Sequence, residues 1–342
     1  MEQVFYNLEN TLTSLISKKE VVKNKETEPF NREHIFYDLL DYLSEKNIDS
    51  RLQLYYYFQQ YQECLTFCQA DMLNMAEHKL EYIDKNLAFN MSDEENASLR
   101  ALFFPMKAYY SYVKEDYVEA LSLLNKSLSE LLFLSKKNIS EAKSAYNEQL
   151  LNICKVYFRN SEVDLAVEQS KLLFKHLLHD LNISIDEKKI SFNEAKDTLS
   201  YYVDSIITSV FNLGVGNQFN IIESVFDEKA LKLAEGTDIK QELEQQVLII
   251  RIILADNNNN VVLSKLKSHL PSLKNYSEIL QAIILGQIAV LSTKMEVGSF
   301  NKATFCEFIS KYVVETLKVD ELLFKKIINY IYELESKKII NV

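Results

Sequence analysis

Glycine, proline and tryptophan are scarce in this sequence. Its 342 residues include 5 glycines, 3 prolines and no tryptophan. A β-rich or α/β protein of this length normally needs more residues that favour turns. Hydrophobic residues nevertheless make up 47% of the chain, which is enough to bury substantial surface. The composition therefore predicts an all-α protein.

Cysteine and histidine are too few and too scattered to indicate a metal centre or a catalytic site. The 4 cysteines fall within apolar stretches, which predicts buried free thiols and fits a reducing compartment. None of the 5 histidines is paired with a nucleophile in a recognisable motif. We expect no catalytic residues, no metal and no cofactor. A helical enzyme whose site is assembled only by the fold is the alternative.

Positive charge and long apolar runs are also lacking. The formal net charge is −11 and the isoelectric point is near 5.2, which argues against direct binding of nucleic acid because that affinity comes largely from cations near phosphates. The sequence has no basic and apolar leader and no uninterrupted apolar run long enough to span a membrane. We therefore expect a cytoplasmic protein that does not contact a membrane.

The stretch from Ser92 to Leu134 contains the clearest local signals. Ser92 followed by Glu95 has the form of a capping box, which predicts the start of a helix. Apolar residues then recur at three- and four-residue spacings to Val113, and a second such stripe runs from Tyr117 to Leu132. The pattern predicts two antiparallel helices with a tight turn. Pro105 falls inside the first stripe, where we expect a kink or a local break.

The turn between these two helices resembles that of a tetratricopeptide repeat (TPR). Asp116 and Tyr117 stand where the family keeps an acidic residue and an aromatic, and Ala108 and Ala120 occupy two of its small positions. The sequence departs from the family pattern in two places. The usual glycine before the turn acid is Glu115, and the small position on the second helix is occupied by the polar Ser127. The resemblance implies a right-handed superhelix of antiparallel helical hairpins, a TPR-like α-solenoid.

Looser copies of this hairpin recur on both sides. A polar turn followed by an apolar stripe places these residues at equivalent positions, separated by 44, 46, 56, 41 and 40 residues: Ala76, Ala120, Ala166, Ile222, Leu263 and Ala303. These steps are longer than the period of the standard tetratricopeptide repeat. We predict an N-terminal helical segment at residues 1–50 and a TPR-like domain with a C-terminal capping helix at 51–342. An irregular helical bundle is the alternative.

A solenoid of hairpins has a concave face lined by the first helix of each pair, and such faces bind peptides or extended segments of partners. Five residues on predicted first helices are our candidates for that face, with ordinary core packing as the alternative for each: Tyr109, Tyr112, Asn152, Tyr202 and Asn212. We therefore predict a non-catalytic scaffold or adaptor that binds a protein or a peptide. The architecture also resembles the intracellular peptide-pheromone receptors of Gram-positive bacteria, which implies a peptide-sensing regulator as the alternative.

Overall fold

The computed structural model describes residues 48–86, 92–139, 141–213, 216–227, 238–255, 259–294 and 302–340. These residues are helical and contain no strand. They form two compact units, residues 48–180 and residues 181–340. The prediction of an all-α protein is confirmed. The predicted N-terminal segment at residues 1–50 lies outside the described residues apart from its last three positions.

The described residues of the first unit form six helices, the last of which crosses the boundary between the units. They are Ile48–Gln69 (α1), Leu73–Asn86 (α2), Asp93–Val113 (α3), Tyr117–Lys136 (α4), Glu141–Arg159 (α5) and Val163–Asp186 (α6). The second unit contains Phe192–Asn212 (α7), Gln218–Val225 (α8), Asp238–Ala255 (α9), Asn259–His269 (α10), Glu278–Lys294 (α11), Lys302–Lys311 (α12) and Glu321–Ile340 (α13). A short 3-10 helix spans Leu270–Asn275, and a π-helical turn spans Tyr312–Thr316.

The three turns within the hairpins of the first unit share one backbone geometry, which also occurs at Asn138 between α4 and α5. They connect α1 to α2, α3 to α4 and α5 to α6, and each has a residue in the left-handed conformation: Asp71 (φ 58°), Glu115 (φ 62°) and Ser161 (φ 61°). In each turn the residue after the left-handed one donates its N–H to the carbonyl five residues before it, as Asp116 does to Ser111 at 2.9 Å. This is the Schellman arrangement that ends a helix. The three hairpins therefore repeat in their backbone as well as in their sequence.

The small residues predicted to be equivalent occupy one position in these hairpins. Ala76, Ala120 and Ala166 each lie five residues after the left-handed residue, and each is completely buried. A larger side chain here would have to displace the facing helix. The predicted close packing is thus present in all three hairpins of the first unit. Ala303, by contrast, is exposed, so the last predicted copy does not repeat it.

Side-chain contacts join the helices of each hairpin and link one hairpin to the next. Arg100 on α3 donates to Glu130 on α4 at 2.7 Å, and Tyr146 on α5 makes an edge contact with His176 on α6. The hydroxyl of Tyr61 on α1 donates to the carbonyl of Leu99 on α3 at 3.1 Å. Helix α3 thus packs between the first hairpin and α4, and α4 packs against α5.

Helix α3 begins at the predicted capping box and continues through Pro105. The Ser92 hydroxyl accepts from the N–H of Glu95, whose carboxylate accepts from the N–H of Ser92. Proline has no N–H, so the carbonyl of Ala101, four residues earlier, lacks its usual helical donor. The hydroxyl of Ser127 on α4, which is completely buried, donates to that carbonyl at 2.8 Å. The predicted break is therefore absent, because a serine on the neighbouring helix supplies the missing hydrogen bond.

The second unit is built around α11. This helix contacts α7, α9, α10, α12 and α13, and its side chains are buried from Ile279 to Ser292. It is apolar on all sides, as expected of a helix surrounded by others. A Cβ atom at Gly286 would lie 3.0 Å from Ile328 on α13, so α11 and α13 approach closely there. One buried helix among several neighbours corresponds to the bundle that the sequence left open as the alternative to a solenoid.

Two further predictions concern cysteine and membrane spans. All 4 cysteines are free, and Cys64, Cys68 and Cys154 are buried while Cys306 is partly exposed. The prediction of free thiols is confirmed, and burial is confirmed for three of them. Among the described residues, no helix combines the length and the apolar character needed to cross a membrane.

We predict that Ser127→Ala lowers the free energy of unfolding by about 1 to 3 kcal/mol, because it leaves the buried carbonyl of Ala101 without a donor. In a Pro105→Ala background the alanine N–H can bond that carbonyl, so the same substitution should cost less than about 1 kcal/mol. Urea unfolding of the four proteins in this double-mutant cycle measures the coupling. Equal costs in the two backgrounds would contradict this role for Ser127.

We also predict that Glu115→Gly raises the free energy of unfolding by about 1 kcal/mol, because glycine adopts the left-handed conformation without steric cost. Glu115→Val should lower it, since branched side chains disfavour positive φ. The matched control is Lys126→Gly, at an exposed position within α4, which should be destabilising by about 1 kcal/mol. Thermal or urea denaturation checks the order of the three variants.

Candidate functional site

Three tyrosines form a continuous row at the end of the second hairpin. The rings of Tyr109 and Tyr112 on α3 stack with centroids 6.2 Å apart, and Tyr112 contacts Tyr117 on α4 edge to face at 6.0 Å. All three side chains are partly exposed. Positions 109 and 112 are three apart on a helix and therefore share one face. We call these residues the tyrosine row.

The surroundings of the row affect the acidity of its phenols. Burial raises the pKa of Tyr109, and the nearby Cys68 acts in the same direction. Burial also raises the pKa of Tyr112, while the positive charge of Arg159 opposes that shift. The tyrosine row therefore lies near the ends of α1 and α5 as well as on its own hairpin. Arg159 is exposed and forms no ion pair within the part of the chain described.

Helix α5 carries an unusual set of buried amide side chains. Asn147 and Gln149 are almost completely buried, and each has a polar atom without a hydrogen-bond partner, Oδ1 of Asn147 and Nε2 of Gln149. Asn152 is partly exposed and donates to Oε1 of Gln149 at 3.1 Å. This bond fixes the Asn152 amide with its Oδ1 free of any hydrogen bond within the described residues. Asn152 thus offers an acceptor at the surface of α5.

The five residues predicted from the sequence have different environments. Tyr109 and Tyr112 lie together, and Asn152 is on α5 of the same unit. Tyr202 is on α7 in the second unit, where it is only 2% exposed and packs against Tyr201, so it has almost no surface to contact a ligand. Asn212, the last residue of α7, is exposed and accepts from Lys326 at 2.7 Å. Neither Tyr202 nor Asn212 contributes to the site considered below.

Two residues were missed as site candidates, one in the tyrosine row and one near it. Tyr117 was identified from the sequence only as part of the turn motif. Tyr112 and Tyr117 lie on either side of a tight turn, which brings residues at its two ends close together, and this signal could have identified Tyr117. Arg159 ends a helix, where a basic residue is ordinary and carries no functional signal. Its position near Tyr112 depends on tertiary packing, which spacing along the chain does not reveal.

No group of three or more potential metal ligands occurs among the described residues. Cys64 and Cys68 hydrogen-bond to each other, which together with burial raises the pKa of Cys64. Cys64 also lies 3.8 Å from the Ala76 carbonyl, toward which its thiol points. These contacts join α1 to the first turn of α2, and they are the contacts of packed core thiols.

The second unit contains one strongly perturbed carboxylate. Asp204 on α7 directs Oδ2 at the N–H of Ile279, 3.4 Å away in the first turn of α11, and its Oδ1 is buried without a hydrogen bond. Burial raises its pKa to about 7, against the opposing effects of the Ser277 hydroxyl and of backbone N–H groups, and the neighbouring Glu278 raises it further. The surroundings of Asp204 are helix-capping groups, so its placement is explained by the attachment of α7 to α11.

Comparison with known protein families, with curated proteins and with solved structures gives no match to this chain. The tetratricopeptide resemblance therefore remains one of local sequence.

The raised pKa of Asp204 predicts a pH-dependent stability. In the unfolded chain this carboxyl loses its proton near pH 4, whereas in the folded protein it keeps the proton to about pH 7. The folded state binds more protons between these values, so the contribution of Asp204 to stability decreases as pH rises from 4 to 7. Asp204→Asn should remove that decrease. We therefore expect the variant to gain stability relative to the wild type between pH 4.5 and pH 8.

Urea unfolding of both proteins across this pH range measures the difference between their free energies of unfolding. The contributions of the other carboxylates cancel in that difference. Asp186→Asn is a suitable control, since Asp186 is an exposed carboxylate at the end of α6. A difference between wild type and Asp204→Asn that does not change with pH would contradict the proposed titration.

Proposed function

We propose that this chain is a non-catalytic helical-repeat scaffold that binds a peptide or an extended protein segment. The binding surface is the tyrosine row together with the adjoining face of α5. The observation that carries the proposal is the row itself, in which Tyr112 contacts both Tyr109 and Tyr117 and all three rings are partly exposed. Tyrosine supplies a large, rigid contact area with a polar end, which is why it is frequent at binding surfaces.

The contacts within the row hold the rings in a fixed arrangement before any partner arrives. Stacking of Tyr109 on Tyr112 limits the rotation of both side chains, and Tyr117 restricts Tyr112 from the other side. A preorganised surface loses less conformational entropy on binding than one whose side chains must be ordered. A flat apolar side chain of a partner can therefore stack on the row at a small entropic cost.

Polar groups on α5 complement the aromatic surface. Asn152 presents a free carbonyl oxygen, and Arg159 presents a guanidinium next to Tyr112. The two residues are seven positions apart, which corresponds to about 10 Å along a helix. An extended peptide covers that distance with about three residues. The α5 face thus suits a short extended segment whose backbone N–H bonds Asn152 while a neighbouring residue lies on the tyrosines.

The repeated hairpins support a scaffold as the setting for this surface. The three turns have the same geometry and the three small residues the same burial, as expected of repeats of one unit. Continued in this way, such hairpins generate a right-handed superhelix with a concave face. We propose that arrangement for the first unit. A regulator that responds to a short peptide would use the same face.

The prediction is tested by capture from the native organism followed by mass spectrometry of both proteins and short peptides. The captured segment is then synthesised and titrated against variants. We expect Tyr112→Ala to weaken its binding by about 30-fold, since an aromatic at the centre of an interface contributes about 2 kcal/mol. Tyr109→Ala should weaken it similarly, because it removes the stacking partner.

The matched control is Tyr332→Ala, which removes an exposed tyrosine from α13 in the second unit. Circular dichroism and thermal unfolding of each variant separate loss of contact from loss of folding. Unchanged affinity in folded Tyr109→Ala and Tyr112→Ala variants would overturn the proposed surface.

A further inference from the structure

The ends of the three hairpins in the first unit combine exposed apolar side chains with negative charge. We define the hairpin tips as residues 69–77, 113–121 and 159–167, which enclose the three left-handed turn residues Asp71, Glu115 and Ser161. Each tip includes the start of a second helix. Because the hairpins share one geometry, equivalent positions in the three tips can be compared directly.

The three tips lie at the same end of the first unit. Cys68, at the end of α1, is close enough to Tyr109 to affect its pKa, and Arg159, at the end of α5, is close enough to affect that of Tyr112. Tyr109 and Tyr112 are themselves in the last two turns of α3. Helix α1 also packs on α3, and α5 packs on α4, the partner of α3. The ends of α1 and α5 thus lie near the end of α3, and we treat the turns that follow them as one edge.

Large apolar side chains are exposed at each tip. Their exposed fractions identify them as surface residues: Met72 49%, Met75 50%, Val118 80% and Leu165 51%. Single exposed apolar residues are ordinary on a protein surface. Here they recur at the start of α2, α4 and α6, at nearly the same distance from the turn in each hairpin. Such a recurring apolar edge is typical of a surface that a partner covers.

The charge of the tips is strongly one-sided. Their 27 positions hold two cations, Lys114 and Arg159, and seven acids: Asp71, Glu77, Glu115, Asp116, Glu119, Glu162 and Asp164. None of these acids forms an ion pair within the described part of the chain. The tips therefore contribute a net −5, almost half of the −11 of the whole chain, from less than a tenth of its residues.

The two cations do not neutralise this edge. Lys114 is held over the ring of Tyr110 at 5.0 Å and donates to its hydroxyl at 3.2 Å, with the charges of Glu77 and Asp116 nearby. Arg159 is near Tyr112. Lys114 thus lies near acids of two tips, but two cations cannot balance seven acids, so the edge keeps a net negative charge.

We propose that the hairpin tips bind a basic segment of a protein partner, one in which lysine or arginine residues alternate with apolar side chains. This inference rests on the proposed function, because it extends the binding surface from the tyrosine row to the adjoining edge. The apolar side chains of the segment cover the exposed methionine, valine and leucine residues, and its cations pair with the acids between them. Complementary charge of this kind raises the rate of association and excludes acidic partners.

The test uses two fluorescein-labelled peptides of equal length with identical leucine and phenylalanine positions. One carries lysine and arginine at the remaining positions, and the other carries glutamate and aspartate. Fluorescence anisotropy with the full chain should show at least 30-fold tighter binding of the basic peptide at 50 mM salt. The preference should decrease at 200 mM salt, because exposed charges are screened. Equal affinity for the two peptides would overturn the proposal.

Two matched triple variants separate the tips from the overall negative charge. Glu77→Lys, Glu115→Lys and Asp164→Lys together reverse three tip acids, and lysine is tolerated at the left-handed position since Lys188 and Lys318 occupy that conformation in this chain. The control reverses three exposed acids outside the tips, Glu81→Lys, Asp84→Lys and Glu168→Lys, with the same change in net charge. We expect the tip variant to lose at least 30-fold in affinity for the basic peptide and the control less than 3-fold. Equal losses would overturn the proposal.

A third variant tests the apolar contribution. Met75→Ser, Val118→Ser and Leu165→Ser together should reduce affinity for the basic peptide about tenfold, with the same dependence on salt as the wild type. No loss in this variant would contradict an apolar docking edge.

The two proposals fail separately. Basic-peptide binding that depends on the tip acids and is unaffected by Tyr112→Ala would support the tips and overturn the tyrosine row. A captured partner whose binding is lost in Tyr112→Ala and is unchanged in the tip variant would support the tyrosine row and overturn the tips.

Discussion

A hydrogen bond between neighbouring helices lets the central hairpin keep a proline within its first helix. Pro105 removes the donor that the carbonyl of Ala101 would have within α3, and the hydroxyl of Ser127 on α4 replaces it. The bond also fixes how far α4 is displaced along α3, because it joins one atom on each helix. Tyr109 and Tyr112 follow Pro105 on the same helix. The tyrosine row therefore depends on α3 remaining one continuous helix that is aligned with α4.

Two residues that are unexpected in the sequence have a common explanation in this hairpin. Pro105 and Ser127 each look unfavourable when considered alone, one in a helix interior and the other at a position meant for a small apolar side chain. Pro105 leaves a buried carbonyl without its helical donor, and Ser127 supplies one. Serine is only slightly larger than alanine, so it adds little volume at this position. The sequence shows both residues, but their relation depends on a contact between two different helices, which helical periodicity does not predict.

Local features of the fold were predictable from the sequence, and tertiary ones were not. The capping box at Ser92 and the helix start at Tyr117 depend on neighbouring residues only, and both were placed correctly. The second capping box, Ser191 with Glu194, has the same form and was overlooked. Tyr202 and Tyr109 look equivalent in sequence, since each is on a stripe that is both aromatic and apolar. Only packing distinguishes the buried ring of Tyr202 from the partly exposed ring of Tyr109.

The two units also differ in when they can be completed during synthesis. The hairpins of the first unit are made of neighbours along the chain, so each can pack on the one before it as it leaves the ribosome. Helix α11 is different, because Ile328 and Ile331 of α13 pack over its Gly286. Helix α13 is synthesised only after the whole of α12, and until then that apolar side of α11 has no cover. The second unit is therefore the part of this chain with the greater need for protection from aggregation while it is being made.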